Sequence, residues 1–110
     1  MDGKRFQNDP VLSEIVRRLV EAFEPERIYL FGSKARLDET EDSDYDLMVV
    51  VSDAAPPEKR QSRLAYQVLR GTRVAVDVLI WARQSFESRL HIKSSLPATV
   101  IREGVLLYAA

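Results

Sequence analysis

The sequence predicts an α/β (α+β) protein, a single domain over residues 1–110 in which a small β-sheet is flanked by helices. Segments with helical periodicity alternate with short runs of strand-forming residues, which is the pattern of such a domain. A length of 110 residues allows one domain with a substantial hydrophobic core and leaves no room for a second. A composition of 45% hydrophobic and 30% charged residues is typical of a folded globular protein.

The first helix and the first strand lead directly to a glycine. Asp9 is a candidate N-cap and Pro10 suits the first helical turn, after which apolar residues recur at helical spacing. Pro25 ends this helix, because proline cannot continue it. Residues 28–31 are strand formers that stop at Gly32. The chain therefore reaches a glycine turn at the end of its first strand.

The remaining elements follow from the same two periodicities, helical and alternating. The apolar run at 46–51 predicts a buried strand, and the alternation at 73–81 predicts another with Asp77 in its middle. In chain order we further expect a helical turn at 34–37, a helix over 58–70 closed by Gly71, short helices at 84–90 and 97–103, and a last strand at 105–108.

The segment between the first two strands has the clearest chemical pattern. Gly32-Ser33 is followed by a run of acids that ends in Asp44-Tyr45-Asp46 at the start of the second strand. A glycine-serine turn can present backbone N–H groups to phosphate oxygens. Carboxylates at the start of a strand can hold the magnesium ions that accompany a nucleoside triphosphate. The order of these residues predicts a phosphate and metal site.

Three aspartates can contribute to that site. Asp44 and Asp46 are two positions apart on a strand, so their side chains face the same way with Cα atoms roughly 6.5 Å apart. Asp77 interrupts an apolar strand, where an unpaired buried carboxylate would cost several kcal/mol. If the two strands are neighbours, the three carboxylates converge and can share divalent cations. The alternative is that Asp77 is an edge-strand carboxylate paired with Arg73 or another basic residue.

Two other interpretations of the acidic run stay open on its own residues. Residues 38–46 can be a solvated loop, because charge is common on protein surfaces. Asp42-x-Asp44-x-Asp46 also resembles the first half of a calcium-binding EF-hand loop. That loop requires glycine at the next position, where this chain has Leu47, and a strand follows in place of the remaining ligands. The calcium interpretation is therefore the weaker of the two.

Composition also limits the function classes. A net charge of -1 argues against a generic nucleic-acid binder, which needs an excess of lysine and arginine, so we expect no direct nucleic-acid binding. The absence of cysteine excludes disulfides, thiolate metal ligands and a cysteine nucleophile. No segment has the length of a membrane span or the apolar core of a signal peptide. We therefore expect a cytoplasmic protein that does not contact membranes.

Four pieces of the sequence follow one another in a recognisable order: Gly32-Ser33-Lys34-Ala35-Arg36, then Asp42-Ser43-Asp44-Tyr45-Asp46-Leu47, then Asp77 on a later strand, and finally Arg102-Glu103-Gly104-Val105-Leu106-Leu107-Tyr108. This order resembles the polymerase-beta-like nucleotidyltransferase superfamily and, within it, the minimal nucleotidyltransferase (MNT) group. The likeness extends over nearly the whole chain. Leu37 departs from the pattern, since many members have glycine after the arginine.

The resemblance implies a fold and a reaction. The fold is a small mixed β-sheet flanked by helices, and the reaction moves a nucleoside monophosphate from a triphosphate, here ATP, to a hydroxyl group with release of pyrophosphate. Gly32 and Ser33 would bind the distal phosphates of the nucleotide. Asp44 and Asp46 would hold two Mg²⁺ ions, and Asp77 would complete the catalytic metal site. The resemblance thus assigns the same residues that the sequence pattern selects.

The resemblance also implies a partner. Minimal members of this group are typically encoded beside a HEPN-domain ribonuclease toxin, so we expect an antitoxin that attaches AMP to a tyrosine of such a toxin and forms a hetero-oligomer with it. Two alternatives belong to other classes. The chain can be a non-catalytic antitoxin that neutralises its partner by binding alone, or an aminoglycoside-type enzyme that modifies a small molecule.

Overall fold

The computed structural model describes residues 9–36 and 44–110 of the chain. These residues form a four-stranded sheet from β1 (Arg27–Phe31), β2 (Tyr45–Val51), β3 (Val76–Ala82) and β4 (Val105–Ala109). The strand order is β3-β2-β1-β4, with β1 antiparallel to both β2 and β4 and with β2 parallel to β3. The predicted α+β class with a small mixed sheet is confirmed.

The first helix, α1 (Pro10–Phe23), begins and ends where the sequence predicts. A carboxylate oxygen of Asp9 accepts a hydrogen bond from the backbone N–H of Leu12 at 3.0 Å, which satisfies one of the free donors of the first turn. At the other end Glu24 adopts a left-handed conformation with φ of 47°, and Pro25 follows. The N-cap and the proline therefore set the length of this helix.

The other helices are short. They are α2 (Ser33–Arg36), a 3₁₀ turn (Pro57–Arg60), α3 (Ser62–Val68), α4 (Arg83–Glu87) and α5 (Leu96–Glu103). None of the helices in the described ranges is long and apolar enough to cross a membrane. Arg18 of α1 donates to the carbonyl oxygens of Val68 at 3.1 Å and Arg70 at 2.8 Å, so it satisfies acceptors at the end of α3. This contact holds α3 against α1.

Three elements differ clearly from the sequence predictions, one of them being the helix expected at 84–90, which ends at Glu87. The single helix expected over 58–70 is wrong, because Gln61 is extended, with φ of -112° and ψ of 133°, and separates the 3₁₀ turn from α3. The guanidinium of Arg60 donates to the carbonyls of Asp53 and Ala55, which folds this turn back onto the loop after β2. The strand expected from residue 73 begins only at Val76, since Arg73 has a φ of 64° that no strand accommodates.

The sheet has two faces with different cover. We call covered face the side packed against α1 and α3, to which β2 contributes Leu47, Val49 and Val51, each 0% exposed. We call open face the opposite side, where a smaller buried cluster contains Tyr29, Met48, Val50, Phe86 and Val100. Alternate residues of β2 therefore point into two separate clusters. The cluster on the open face draws its helical residues, Phe86 and Val100, from α4 and α5.

Candidate functional site

Two of the predicted site residues are partners in the β2–β3 pair. Asp46 is in register with Asp77, both near the starts of their parallel strands. Residues in register on neighbouring strands point to the same face, with Cα atoms about 4.8 Å apart. The hydrogen bond from Tyr45 N–H to the carbonyl of Ala75, at 3.1 Å, extends the pairing to this end of the strands. The structure therefore places the two carboxylates side by side on the open face.

The glycine turn lies directly against Asp46. Phe31, the last residue of β1, is paired with Asp46, and Gly32 follows with a φ of 77°. A Cβ atom at position 32 would overlap Oδ2 of Asp46 and lie 3.1 Å from its Cγ. Glycine is thus required here both by the left-handed backbone and by the carboxylate that fills the adjacent space. The predicted phosphate turn and the predicted metal carboxylate are neighbours.

Ser33 and Asp44 complete the set of predicted site residues. Ser33 is the first residue of α2, and the buried Ala35 in that short helix anchors it in the core of the covered face. Asp44 immediately precedes β2 and is exposed. Asp42 and Ser43, which also belong to the predicted motif, lie outside the described residues. These positions put the glycine turn and the three aspartates at one end of the sheet.

The metal-binding role of the aspartates stays a prediction. Within residues 9–36 and 44–110, no group of three or more histidine, cysteine, aspartate or glutamate side chains is arranged to hold a metal ion. Asp46 and Asp77 are paired in register on neighbouring strands, whereas Asp44 lies two positions before Asp46, ahead of the start of β2. The chemistry of the donor set fits magnesium, since carboxylate oxygens are its preferred protein ligands. One of these donors, Asp46, occupies the space beside Gly32 that a Cβ would need, so the glycine turn and the donor set are in contact.

The surroundings of Asp77 differ from the sequence prediction. We expected a buried carboxylate, but Asp77 is exposed, because β3 is an edge strand. Val78, the next residue, points to the covered face and is only 1% exposed. The alternative pairing of Asp77 with Arg73 is not present among the ion pairs of the described residues. An exposed aspartate has no desolvation cost to offset, so its position beside Asp46 is the informative feature.

Sequence reasoning missed a cluster on the other side of β2. The hydroxyl of Tyr45 donates to Asp9 at 3.0 Å, and the ammonium of Lys34 lies 4.5 Å from the centroid of the Tyr45 ring. Burial, followed by the hydrogen bond to Asp9, raises the pKa of Tyr45 from 10.0 to about 12. The cluster connects the starts of α1 and β2 with α2. The available signal was the alternation of Tyr45 with Asp44 and Asp46, which points its ring toward the covered face.

The sequence matches one protein family. The family model described as polymerase beta, nucleotidyltransferase matches residues 13–110 of this chain. That range contains Gly32, Ser33 and all three aspartates. Among curated proteins none matches the sequence.

Several solved structures have a similar fold. A chain of a toxin–antitoxin complex with AMP-PNP superposes with a TM-score of 0.62 at 23% identity, covering 89% of this chain and 73% of that one. A chain of the Shewanella oneidensis complex of a tri-AMPylated HEPN toxin with an MNT antitoxin gives 0.57 at 20% identity, covering 93% and 72%. A minimal nucleotidyltransferase gives 0.51 at 26% identity, covering 97% of both chains. These similarities establish a common fold.

Proposed function

Because the chain belongs to the polymerase beta family of nucleotidyltransferases, we propose that it transfers AMP from ATP to a tyrosine hydroxyl of a HEPN-domain toxin and acts as the antitoxin of that pair. The observation that carries this proposal is the register of Asp46 with Asp77, directly beside Gly32. The toxin–antitoxin complexes among the structural neighbours support the choice of acceptor, since one of them contains a tri-AMPylated HEPN toxin.

We propose that the protein binds two Mg²⁺ ions. The residues that would hold them are Asp44, Asp46 and Asp77. When bound, such ions neutralise the phosphate charge and stabilise the attacking and leaving oxygens of an in-line displacement. The aspartates come from the start of β2 and the start of β3, two strands whose register is fixed by pairing along their length. The protein therefore supplies a rigid set of donors, which is how positioning contributes to such reactions.

Gly32 and Ser33 would bind the distal phosphates through backbone N–H groups. A left-handed glycine at the start of a helical turn can present backbone N–H groups to a phosphate, and the missing side chain leaves room for the Asp46 carboxylate beside the turn. The acidic site carries negative charge of its own, so a bound triphosphate also needs the cations described above. Nucleotide and metal binding are therefore expected to depend on each other.

The transfer step is a single displacement. A bond forms between the acceptor oxygen and the α-phosphorus of ATP, and the bond from that phosphorus to the bridging oxygen of the β-phosphate breaks. Pyrophosphate leaves with the bond electrons. The proton of the acceptor hydroxyl passes to the exposed carboxylate of Asp77 and then to water. No covalent intermediate with the protein is required.

The decisive experiment combines the chain with the product of the adjacent gene, which we expect to be a HEPN-domain protein, with each labelled nucleoside triphosphate in turn, and with Mg²⁺. Intact mass measurement of the HEPN-domain protein should show additions equal to the mass of AMP when the triphosphate is ATP, and no additions with the other triphosphates. Loss of the additions when the acceptor tyrosine is replaced would identify the hydroxyl. No label on any component under any of these conditions would contradict the proposal.

A matched pair of variants separates catalysis from binding. Asp77→Asn should abolish the transfer, whereas Glu58→Gln, which removes one exposed negative charge from the 3₁₀ turn, should leave it intact. If Asp77→Asn also abolishes neutralisation of toxicity, the antitoxin works through catalysis. If neutralisation survives without transfer, binding alone neutralises the partner and the enzymatic part of the proposal is wrong for the antitoxin role.

A further inference from the structure

An exposed leucine lies next to the proposed site. Leu79 is two positions after Asp77 on β3, so the two side chains point to the same face. Leu79 is 40% exposed, although Met48, its partner in register on β2, is 0% exposed. The difference arises because β3 is an edge strand, and Leu79 is not part of the buried cluster that α4 and α5 help to form.

The exposure of the side chains on the open face decreases along β3. Beyond Leu79, Trp81 is partly buried and packs against the cluster that contains Val50 and Phe86, each 3% exposed. At the start of β3, Asp77 is exposed, and Asp46, its partner in register on β2, is partly exposed. Leu79 lies between these two regions. It is the apolar side chain on β3 that an incoming group would meet beside Asp77.

A single exposed leucine needs no explanation in itself, because isolated apolar residues are common on surfaces. The position of Leu79 relative to Asp77 is what distinguishes it. Two positions along a strand correspond to roughly 6.5 Å. The span of a tyrosine from its hydroxyl to its Cα atom is similar, and the ring lies between these two ends. An acceptor whose hydroxyl lies at Asp77 can therefore place its ring against Leu79.

We propose that Leu79 contacts the ring of the acceptor tyrosine and gives the enzyme its preference for an aromatic hydroxyl. This inference rests on the proposed function and extends it to the choice of acceptor. Leu79 touches no reacting atom; it contributes apolar surface that an aromatic ring buries and that a serine side chain or a water molecule does not. Its effect is therefore on acceptor binding and not on the displacement.

The test compares two exposed leucines on the two edge strands. Leu106 on β4 is 45% exposed and is paired with Tyr29, which places it on the same open face at the opposite edge of the sheet. Leu79→Thr and Leu106→Thr remove the same apolar surface and insert a residue that strands accommodate well. Steady-state AMP transfer is measured with the HEPN-domain protein and ATP varied in turn, and the melting temperature of each variant is recorded.

We expect Leu79→Thr to raise KM for the HEPN-domain protein about tenfold, the discrimination that a small apolar contact typically provides. kcat and KM for ATP should stay within about twofold of wild type, as should all three parameters of Leu106→Thr. Leu79→Met retains the apolar surface and nearly the same side-chain volume, so its KM should be close to that of wild type.

Two results would overturn the inference. One is equal KM values for the two threonine variants, and the other is a fall in kcat at unchanged KM, which would mean that Leu79 acts on the geometry of the site. These results differ from failure of the proposed function. If the wild-type chain transfers no AMP, the proposed function itself is wrong, whereas transfer that is insensitive to Leu79→Thr removes only the acceptor contact.

Discussion

The two faces of the sheet divide the molecule into a part that stabilises the fold and a part that is available for chemistry. On the covered face, α1 and α3 bury the alternate residues of β2 completely. On the open face, the buried cluster is smaller, Asp46 and Asp77 lie beyond its end, and Leu79 lies beside it on the edge strand. Neighbouring residues of one strand thus have different roles, one in fold stability and the other at the candidate site. Substitutions one position apart should therefore separate stability from activity.

The largest effect is expected from Asp46→Asn on the open face. Loss of one preorganised electrostatic contact to a transition state typically lowers kcat by about 100- to 1000-fold, and we expect AMP transfer to fall at least this far. Asparagine has the same shape, so the contact with Gly32 is preserved and the melting temperature should change little. Initial rates and thermal unfolding measure the two quantities. Retained activity would remove Asp46 from the site.

The converse effect is expected one residue later, from Leu47→Ala on the covered face. Leu47 is fully buried, and truncation of such a leucine typically lowers the free energy of unfolding by about 2–5 kcal/mol. Urea denaturation measures this loss. Activity per folded molecule should remain within about twofold of wild type, since the side chain points away from the carboxylates. A larger fall in specific activity would show that the two faces are coupled.

Gly32→Ala tests the boundary between the two properties. The left-handed backbone at Gly32 costs a non-glycine residue about 1–2 kcal/mol, and the new Cβ would displace the Asp46 carboxylate as well. Gly71 is the matched control, because its φ of 88° is also left-handed and a Cβ there meets nothing within 4 Å. Both alanine variants should lose stability in denaturant titrations. Only Gly32→Ala should also lose transfer activity, and equal activities would contradict the contact.

The smallest effect concerns Tyr45, which links both regions. Its pKa of about 12 in the folded protein lies above the ordinary value of 10.0, so the unfolded chain loses this proton first as pH rises. The stability that Tyr45 contributes is therefore fully present below pH 10 and is lost as the pH approaches about 12. The difference in free energy of unfolding between wild type and Tyr45→Phe should shrink across this window.

A matched variant controls for the loss of a hydroxyl in the Tyr45 experiment. Tyr66 on α3 is 49% exposed, so Tyr66→Phe removes a hydroxyl from an exposed position and serves as the reference for Tyr45→Phe. A shrinking difference for both variants would mean that the alkaline transition does not report on the contact between Tyr45 and Asp9.

Local signals in the sequence predict the elements well and their pairing poorly. Asp9 and Pro25 act on adjacent residues, so the limits of α1 can be predicted from the chain alone. Gln61 interrupts the expected helix where Arg60 contacts a loop several residues away. The hydrophobic periodicity of the helix contains no information on such a contact, so the interruption could not be predicted. The candidate site shows the same limit of sequence-based prediction. Its aspartates could be selected from sequence, but the exposure of Asp77 follows from β3 being an edge strand.

The pairing of β2 with β3 has a consequence for errors in folding. A slip of one residue in β3 would exchange Asp77 and Val78, because side chains alternate between faces. It would bring a carboxylate into the hydrophobic core beside α3 and expose a valine to water. Both changes would destabilise the folded state strongly. The packing of the covered face thus fixes the strand register that aligns the charged groups on the open face. A molecule with the wrong register would be unstable, so it would not accumulate as a folded protein with a misaligned site.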